Sequence, residues 1–401
     1  MPDPFSSPAG SPAELPAPGI EAQEHSLQLV QMIRDEMQRQ DGRLGFDRFM
    51  ELALYAPGLG YYTAGARKFG EAGDFVTAPE VSPLFARCLA RQCREVLDEL
   101  GGGDLLEFGA GSGTMAADLL LELEVLGSLP DRYLILEVSP DLKERQKETL
   151  QGWAPHLMDR VSWLDHMPEQ GFRGVVLANE VLDAMPVHRF RIEADGVREG
   201  YVRWGDERFE AVWDLPVTPG LAEAVEALQQ QVGSLGEGYE SELNLRAGPW
   251  LEALGERMAA GAVLLIDYGY PASEYYHPQR SSGSLMCYYK HRAHGDVLAL
   301  PGLQDITAHV DFSAVAAAGL AAGFDLAGYT SQAHFLLGSG LDRLVADSDP
   351  NDIKVHMALM QGVKRLTLPS EMGERFKVLG LSRGIEGTLT GFGLRDLSSR
   401  L

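Results

Sequence analysis

Cysteine is scarce: Cys88, Cys93 and Cys287 are the three in 401 residues, an odd number with no C-x-x-C spacing. That excludes a disulfide framework and a cysteine-based zinc site. Long hydrophobic runs are missing too, since no window reaches 18 uninterrupted apolar residues, so no membrane insertion is expected. Positive charge is outnumbered, with 34 Lys and Arg against 58 Asp and Glu and a formal net charge of -24. This disfavours a nucleic-acid backbone as partner and suits a cation or a basic protein segment. Residues 1–24 have neither a basic n-region nor an apolar h-region, and no arginine. We therefore expect a cytoplasmic protein with a disordered Pro/Ser/Ala tail over 1–24. No G-x-S-x-G elbow, P-loop or H-E-x-x-H is found, which leaves hydrolase and kinase chemistry without support.

What is present is a 45% apolar chain, long enough for one large domain with insertions or for two ordinary domains. A helical pattern starts near His25 and a second covers roughly Pro83 to Leu100, with a Gly- and aromatic-rich stretch between them that reads as a functional loop. From Asp104 onward, short apolar runs (DLLEFG, YLILEVS, VSWLD, GVVLANE and later AVLLIDYG) alternate with helical segments such as Thr114–Leu126 and Pro140–Leu150. Runs of this kind are strands buried on both faces, and the alternation predicts a parallel sheet in a doubly wound α/β sandwich. Ligands in that architecture gather at the carboxyl ends of the strands.

Two insertions interrupt the pattern. Residues 188–260 predict short antiparallel strands over 188–217, then two helices with GEGYESELN between them; residues 271–310 read as a loop rich in Tyr, His, Ser and Gly. The expected layout is a 25–100 helical and loop cap, core over 101–187, insertion over 188–260, a core strand at 261–270, an inserted loop over 271–310 and the rest of the core over 311–401. A helix at Phe312–Ala322 and strands near Phe324–Thr330 and Phe376–Leu381 complete the sheet.

The stretch LLEFGAGSGT packs Gly109, Gly111 and Gly113 behind an apolar run. A glycine loop between a strand and a helix lets a ligand touch the backbone and meet the helix N-terminus. The spacing is GxGxG, with Ala110 inside it, and Glu107 stands two residues ahead. A carboxylate there repels a pyrophosphate and suits an ammonium group such as that of S-adenosylmethionine (SAM). Glu137, ending the second core strand, can accept hydrogen bonds from both ribose hydroxyls. The glycine spacing and Glu107 disfavour a nicotinamide dinucleotide.

LLEFGAGSGT, ANEVLDAMPV and LLIDYG, with the flanking GDFVTAPEVS, CYYKHRAHGD and PGLQDITAHVDF, resemble the MidA-type class I methyltransferases over roughly residues 25–395, in the family's order. That family includes a mitochondrial complex I assembly factor that methylates an arginine of a complex I subunit. The resemblance implies a Rossmann-like, seven-stranded methyltransferase sandwich with a helical N-terminal segment and two insertions, SAM as cofactor and no metal. It further implies a protein substrate with a target arginine, such as a complex I-type subunit; the oligomeric state stays open, with a homodimer as one candidate. Two departures are Ala86, where a glycine is common, and the absence of an NPPY-like motif, whose topological place is taken by Asn179 and Glu180.

Glu180 and Asp183 follow the fourth core strand, where an acceptor meets the methyl group; carboxylates there can hold a guanidinium by paired hydrogen bonds. Acids in a first helical turn are also ordinary caps. Thr77, Ala78, Pro79 and Glu80 approach the cofactor by resemblance, while Glu80 and Ser82 equally suit a helix start. Asp267, with Tyr268 and Gly269, ends the fifth strand and either positions the acceptor or orders loops. Glu242 and Asn244 resemble a family E-x-N segment near the acceptor. His291, His294 and His309 with Asp296 and Asp305 invite a metal reading, but hydrogen bonding within loops is favoured, with His291 and Asp305 on the acceptor side. Tyr61, Tyr62, Tyr288 and Tyr289 are candidates for an aromatic wall or for core positions with a wet edge. A small-molecule methyltransferase, and an assembly factor that binds SAM and acts by partner contact, remain alternatives.

Overall fold

A computed structural model describes residues 15–64, 77–349 and 352–401. Part of the expected tail and the Gly73–Val76 part of GDFVTAPEVS lie outside the described residues. The chain divides into two compact units: a core unit of 76–182, 248–271 and 310–401, and an insertion unit of 1–75, 183–247 and 272–309. These boundaries differ from those expected. The segment 77–100 belongs with the core rather than with a cap, the first insertion takes in residues 183–187, and it ends at Ala247. Among the described residues no helix is long and apolar enough to cross a membrane.

The core unit is an α/β sandwich. Its main strands are β1 (Asp104–Phe108), β2 (Tyr133–Leu136), β3 (Val161–Leu164), β4 (Phe172–Asn179), β5 (Met258–Tyr270), β6 (Asp325–Ser331) and β7 (Phe376–Arg383). They lie in the order β3-β2-β1-β4-β5-β7-β6, with a two-residue strand, Val310–Asp311, pairing the end of β5. β3, β2, β1, β4 and β5 run parallel. β7 runs antiparallel to both β5 and β6. β1 and the interior of β5 are buried on both faces, as their apolar runs require.

Three helices set the cofactor end. α1 (Pro83–Leu100) starts at an N-cap, Ser82, whose hydroxyl accepts from Leu84 N–H at 3.3 Å, with Pro83 at the first helical position; it ends at Gly101, whose φ of 71° is left-handed. Cys88 and Cys93 are buried on its apolar face. α2 (Thr114–Val125) begins directly after Gly113. α3 (Pro140–Trp153) is capped by Ser139 and buries Leu142, Gln146 and Leu150, an i, i+4 stripe with a polar residue at its centre.

The insertion unit is built from three separate chain segments. The helix Ile20–Arg39 starts five residues before His25, because Gly19 provides the extended N-cap and Leu29, Ile33 and Met37 make one buried stripe. A five-stranded antiparallel sheet contains Arg43–Gly45, His188–Glu193, Gly196–Gly205, Arg208–Asp214 and Glu240–Leu243. The strand Glu240–Leu243 corrects the reading of GEGYESELN as an interhelical linker: pairing with His188–Arg191 decides its conformation. A three-stranded antiparallel sheet of Met286–Tyr289, Arg292–His294 and Asp305–Thr307 likewise replaces part of the expected 271–310 loop. Arg48 pairs with Glu36 and Glu51, and Arg246 with Glu51 and Asp47, tying the first segment to the second.

Candidate active site

The carboxyl ends of β2, β1, β4 and β5 stand side by side and carry Glu137, the glycine loop, Asn179–Glu180 and Asp267 respectively. Gly109, Gly111 and Gly113 all have positive φ, at 63°, 54° and 83°. For two of them the reason is visible. A Cβ on Gly113 would meet the Gln146 Cα at 2.9 Å, so glycine lets the start of α2 close on α3, whereas nothing lies within 4 Å of the Cβ direction of Gly111. One glycine is therefore there for packing, and the other leaves the backbone approachable. Ala110 is buried in the core, and its carbonyl accepts Gly113 N–H at 2.8 Å, closing the turn.

The loop is clamped from behind by α3. Gln146 Nε2 donates to the Gly111 carbonyl at 3.1 Å, and Thr149 Oγ1 to the Ser112 carbonyl at 2.7 Å. Across a trans peptide, N–H and C=O point in opposite directions, so fixing the Gly111 carbonyl toward α3 turns the Ser112 N–H away from it. Glu80 meets the same loop from the short helix Ala78–Val81: it accepts from the Ser112 hydroxyl and, at 3.3 Å, from the Thr114 hydroxyl. Glu80 is thus a loop contact and Ser82 a helix cap, and Pro79 holds the turn that brings Glu80 into place.

Glu107 is 1% exposed and accepts a hydrogen bond from Tyr133 OH at 2.6 Å. Burial raises its pKa to about 7; the Tyr133 bond offsets part of this and the charge of Glu137 adds to it. Glu137 accepts Ser139 N–H and Gln146 Nε2, both at 2.9 Å, and burial pushes its pKa up as well. Two desolvated acids with few donors are an environment that a positive ligand stabilises.

At the end of β4, Glu180 has φ 53°, uncommon for a residue with a side chain, and is held there by its N–H bonding to the Ile266 carbonyl at 2.9 Å. Asn179 Nδ2 reaches Glu180 Oε1 at 3.3 Å, while Asn179 Oδ1 is buried with no partner among the described residues. Gly109 borders this loop, for its Cβ direction meets the Val181 side chain at 3.3 Å. Asp267, 1% exposed, accepts Leu182 N–H at 3.1 Å and Tyr268 N–H at 2.9 Å. Of its two readings, these bonds fit the ordering of loops: they hold the segment next to Glu180.

The remaining candidates fall in the insertion unit. Asp183 is buried, and its carbonyl accepts Ala308 N–H at 3.0 Å. Asp305 accepts Tyr62 OH at 2.9 Å. Burial raises the Tyr62 pKa, and the charges of Asp305 and Asp183 add to the effect. The Tyr62 ring stacks on Tyr55 with centroids 5.5 Å apart, while Tyr61 meets it edge-on and is 2% exposed. Tyr55, absent from the sequence candidates, therefore shares the aromatic face with Tyr62, and Tyr61 is core. Tyr288 and Tyr289 lie on the strand Met286–Tyr289. Glu242 is buried beneath the 283–284 turn and accepts Ser284 N–H at 3.0 Å; Asn244 Oδ1 accepts Arg246 and Ala247 N–H, each at 3.0 Å. Through these bonds both residues hold local loops. His294 is buried and accepts Asp296 N–H at 3.3 Å, His309 N–H donates to Ser284 Oγ at 3.0 Å, and His291 lies in a positive-φ turn at 60°. Among the described residues, no group of three or more His, Cys, Asp or Glu side chains is arranged to hold a metal ion.

Sequence reasoning missed Tyr133, Gln146, Thr149 and Trp163, which support the loop. The polar Gln146 at the centre of the Leu142–Leu150 stripe was the one available signal.

This donor set fits an adenosyl cofactor carrying a cationic amino-acid end: an approachable glycine loop, an acid on the neighbouring strand, an orphaned Asn179 oxygen and surplus negative charge. The profile of a family described as "Putative S-adenosyl-L-methionine-dependent methyltransferase" matches residues 88–330. The chain belongs to this family, the MidA-type class I methyltransferases, and SAM is its cofactor. A crystal structure from Burkholderia thailandensis, bound to S-adenosyl-homocysteine (SAH), shares 46% identity and superposes with a TM-score of 0.92 over 97% of this chain and 100% of that one. The protein named protein arginine methyltransferase NDUFAF7, mitochondrial, is 30% identical in Danio rerio, over 84% of this chain and 82% of that protein. The human protein of the same name is also 30% identical, over 85% of this chain and 80% of its own length.

Proposed function

We propose that this methyltransferase acts on an arginine side chain of a protein, with a complex I-type subunit as a candidate substrate, and that it works in the cytoplasm. The observation that carries the reading is Glu180, held at positive φ at the end of β4 with its carboxylate beside the Asn179 amide. A carboxylate so fixed pairs with a planar guanidinium through two hydrogen bonds, aims one nitrogen and takes up the proton released late in the reaction. When bound, SAM supplies an electrophilic sulfonium methyl. The chain's part is alignment and charge: Gln146 and Thr149 hold the loop, Asp267 holds the segment leading to Asp183, and Glu180 receives the acceptor. The names of the curated relatives support the choice of arginine.

The test is transfer of labelled methyl from SAM to an extract of cells lacking this protein, followed by hydrolysis and methylamino-acid analysis. Label is expected in methylarginine. Glu180→Gln should lower transfer by about 10²- to 10⁴-fold while SAH binding is retained; label confined to small molecules would overturn the protein-arginine reading. Fractionation of the source cells tests the compartment, and sedimentation tests whether the chain is a homodimer.

A further inference from the structure

We propose that Gln146 is the positioning residue that couples the acid at the end of β2 to the glycine loop, so that recognition of the cofactor's ribose depends on a side chain that need not touch it. The proposal rests on the cofactor assignment above. Gln146 is 0% exposed and sits in the middle of an otherwise apolar stripe of α3. A buried amide is costly unless its hydrogen-bonding groups are matched. Here they are: Nε2 donates to Glu137 Oε2 at 2.9 Å and to the Gly111 carbonyl at 3.1 Å, and Oε1 accepts Trp163 Nε1–H at 2.8 Å.

The orientation of the amide follows from chemistry. The indole N–H only donates, so it must face Oε1; the carboxylate and the carbonyl only accept, so they must face Nε2. A flipped amide would lose all three bonds. Trp163 therefore sets the direction in which Gln146 donates, and Gln146 sets both the rotamer of Glu137 and the plane of the Gly111 peptide. The Ser139 N–H, at 2.9 Å, holds the other Glu137 oxygen. With the Val138 backbone as a further donor, the carboxylate is fixed from the protein side and its remaining acceptor capacity is directed elsewhere, a geometry suited to a vicinal diol. The backbone is equally committed, since Gly113 approaches the Gln146 Cα too closely for a side chain. One residue thus fixes the two recognition elements against each other.

The experiment uses the full chain and SAH titrated by calorimetry, with 5′-methylthioadenosine and its 2′,3′-dideoxy counterpart as a ribose probe pair. Gln146→Met keeps the side-chain length and removes the donors. It should weaken SAH binding at least about tenfold, as expected for losing a hydrogen bond to a charged group. It should also reduce the preference for the diol ligand over the dideoxy one toward that of Glu137→Ala. The double variant Glu137→Ala/Gln146→Met should be little weaker than Glu137→Ala alone, because the two act as one unit. Trp163→Phe, which leaves α3 untouched, should weaken SAH by about threefold with the same selective loss of diol preference; this keeps the proposal falsifiable should Gln146→Met fold poorly. Unchanged SAH binding, or equal losses for the diol and dideoxy ligands, would make Gln146 a packing residue only and overturn the proposal. Failure of the unaltered protein to bind SAH would instead bring down the cofactor assignment, and this proposal with it.

Discussion

Two glutamates, one in each unit, are both 1% exposed, yet their surroundings push them in opposite directions. Glu107 in the core rises from 4.5 to about 7, because burial outweighs the one hydrogen bond it receives among the described residues. Glu199 in the insertion unit also pays for burial, but His188, Thr218 and Tyr201 outweigh it and its pKa falls to about 2. It accepts Thr218 Oγ1–H at 2.6 Å, Tyr201 OH at 2.7 Å, Val217 N–H at 2.9 Å and Thr218 N–H at 3.1 Å, with His188 Nδ1 at 3.6 Å. Burial by itself does not distinguish a structural acid from a functional one. The count of donors does: Glu199 is satisfied by its own fold, whereas Glu107 is left in deficit, which a cation can relieve.

The consequences for stability have opposite signs. With its raised pKa, Glu107 holds a proton in the folded chain that the unfolded chain has released, so stability falls as pH rises from about 4.5 to 7 and stays lower above that. Glu199 contributes stability that is fully present above 4.5 and is lost as pH falls toward about 2.

The most direct way to break the comparison is Glu107→Gln. At pH 8 it should stabilise the cofactor-free protein by about 3 kcal/mol and weaken SAH binding by about ten- to a hundredfold, a trade of stability for function read by denaturation and calorimetry. A loss of stability at that pH would put Glu107 in the same class as Glu199. The mirror-image change, Glu199→Gln, should destabilise by about 2 kcal/mol at pH 7, flatten the acid limb of the stability profile below pH 4.5 and leave methyl transfer unchanged. For the unaltered protein, SAH affinity should rise by about tenfold between pH 5.5 and 7 as Glu107 ionises to meet an ammonium group, and this slope should vanish in Glu107→Gln. The smallest effect is expected for Thr149→Val, which frees the Ser112 carbonyl at a cost of about 1 kcal/mol and should weaken SAH by a fewfold.

Much of the cofactor half was legible because its signals are local. The glycine loop and Glu107 fall within one short contiguous stretch, and the buried strands announce themselves as apolar runs. The insertion unit was less legible. Its strand Glu240–Leu243 looked like a linker because a four-residue strand carries little pattern of its own and takes its conformation from the partner at 188–191. Tyr55 was overlooked for a related reason: its ring partner Tyr62 lies seven residues on, beyond the end of its helix, and a helical position does not reveal what stacks against it.

The sequence by itself determined the class of fold, the place of the cofactor loop, the acids that flank it and the order of the core elements, since each follows from periodicity, capping and spacing within a few turns of chain. Tertiary structure decided which acid is satisfied and which is left in deficit. It also decided that Asp267 serves the backbone, that β7 runs antiparallel and that Gln146 joins Glu137 to the glycine loop. These outcomes depend on contacts between residues distant in the chain, where desolvation and the supply of hydrogen-bond donors are set by neighbours that local sequence does not specify.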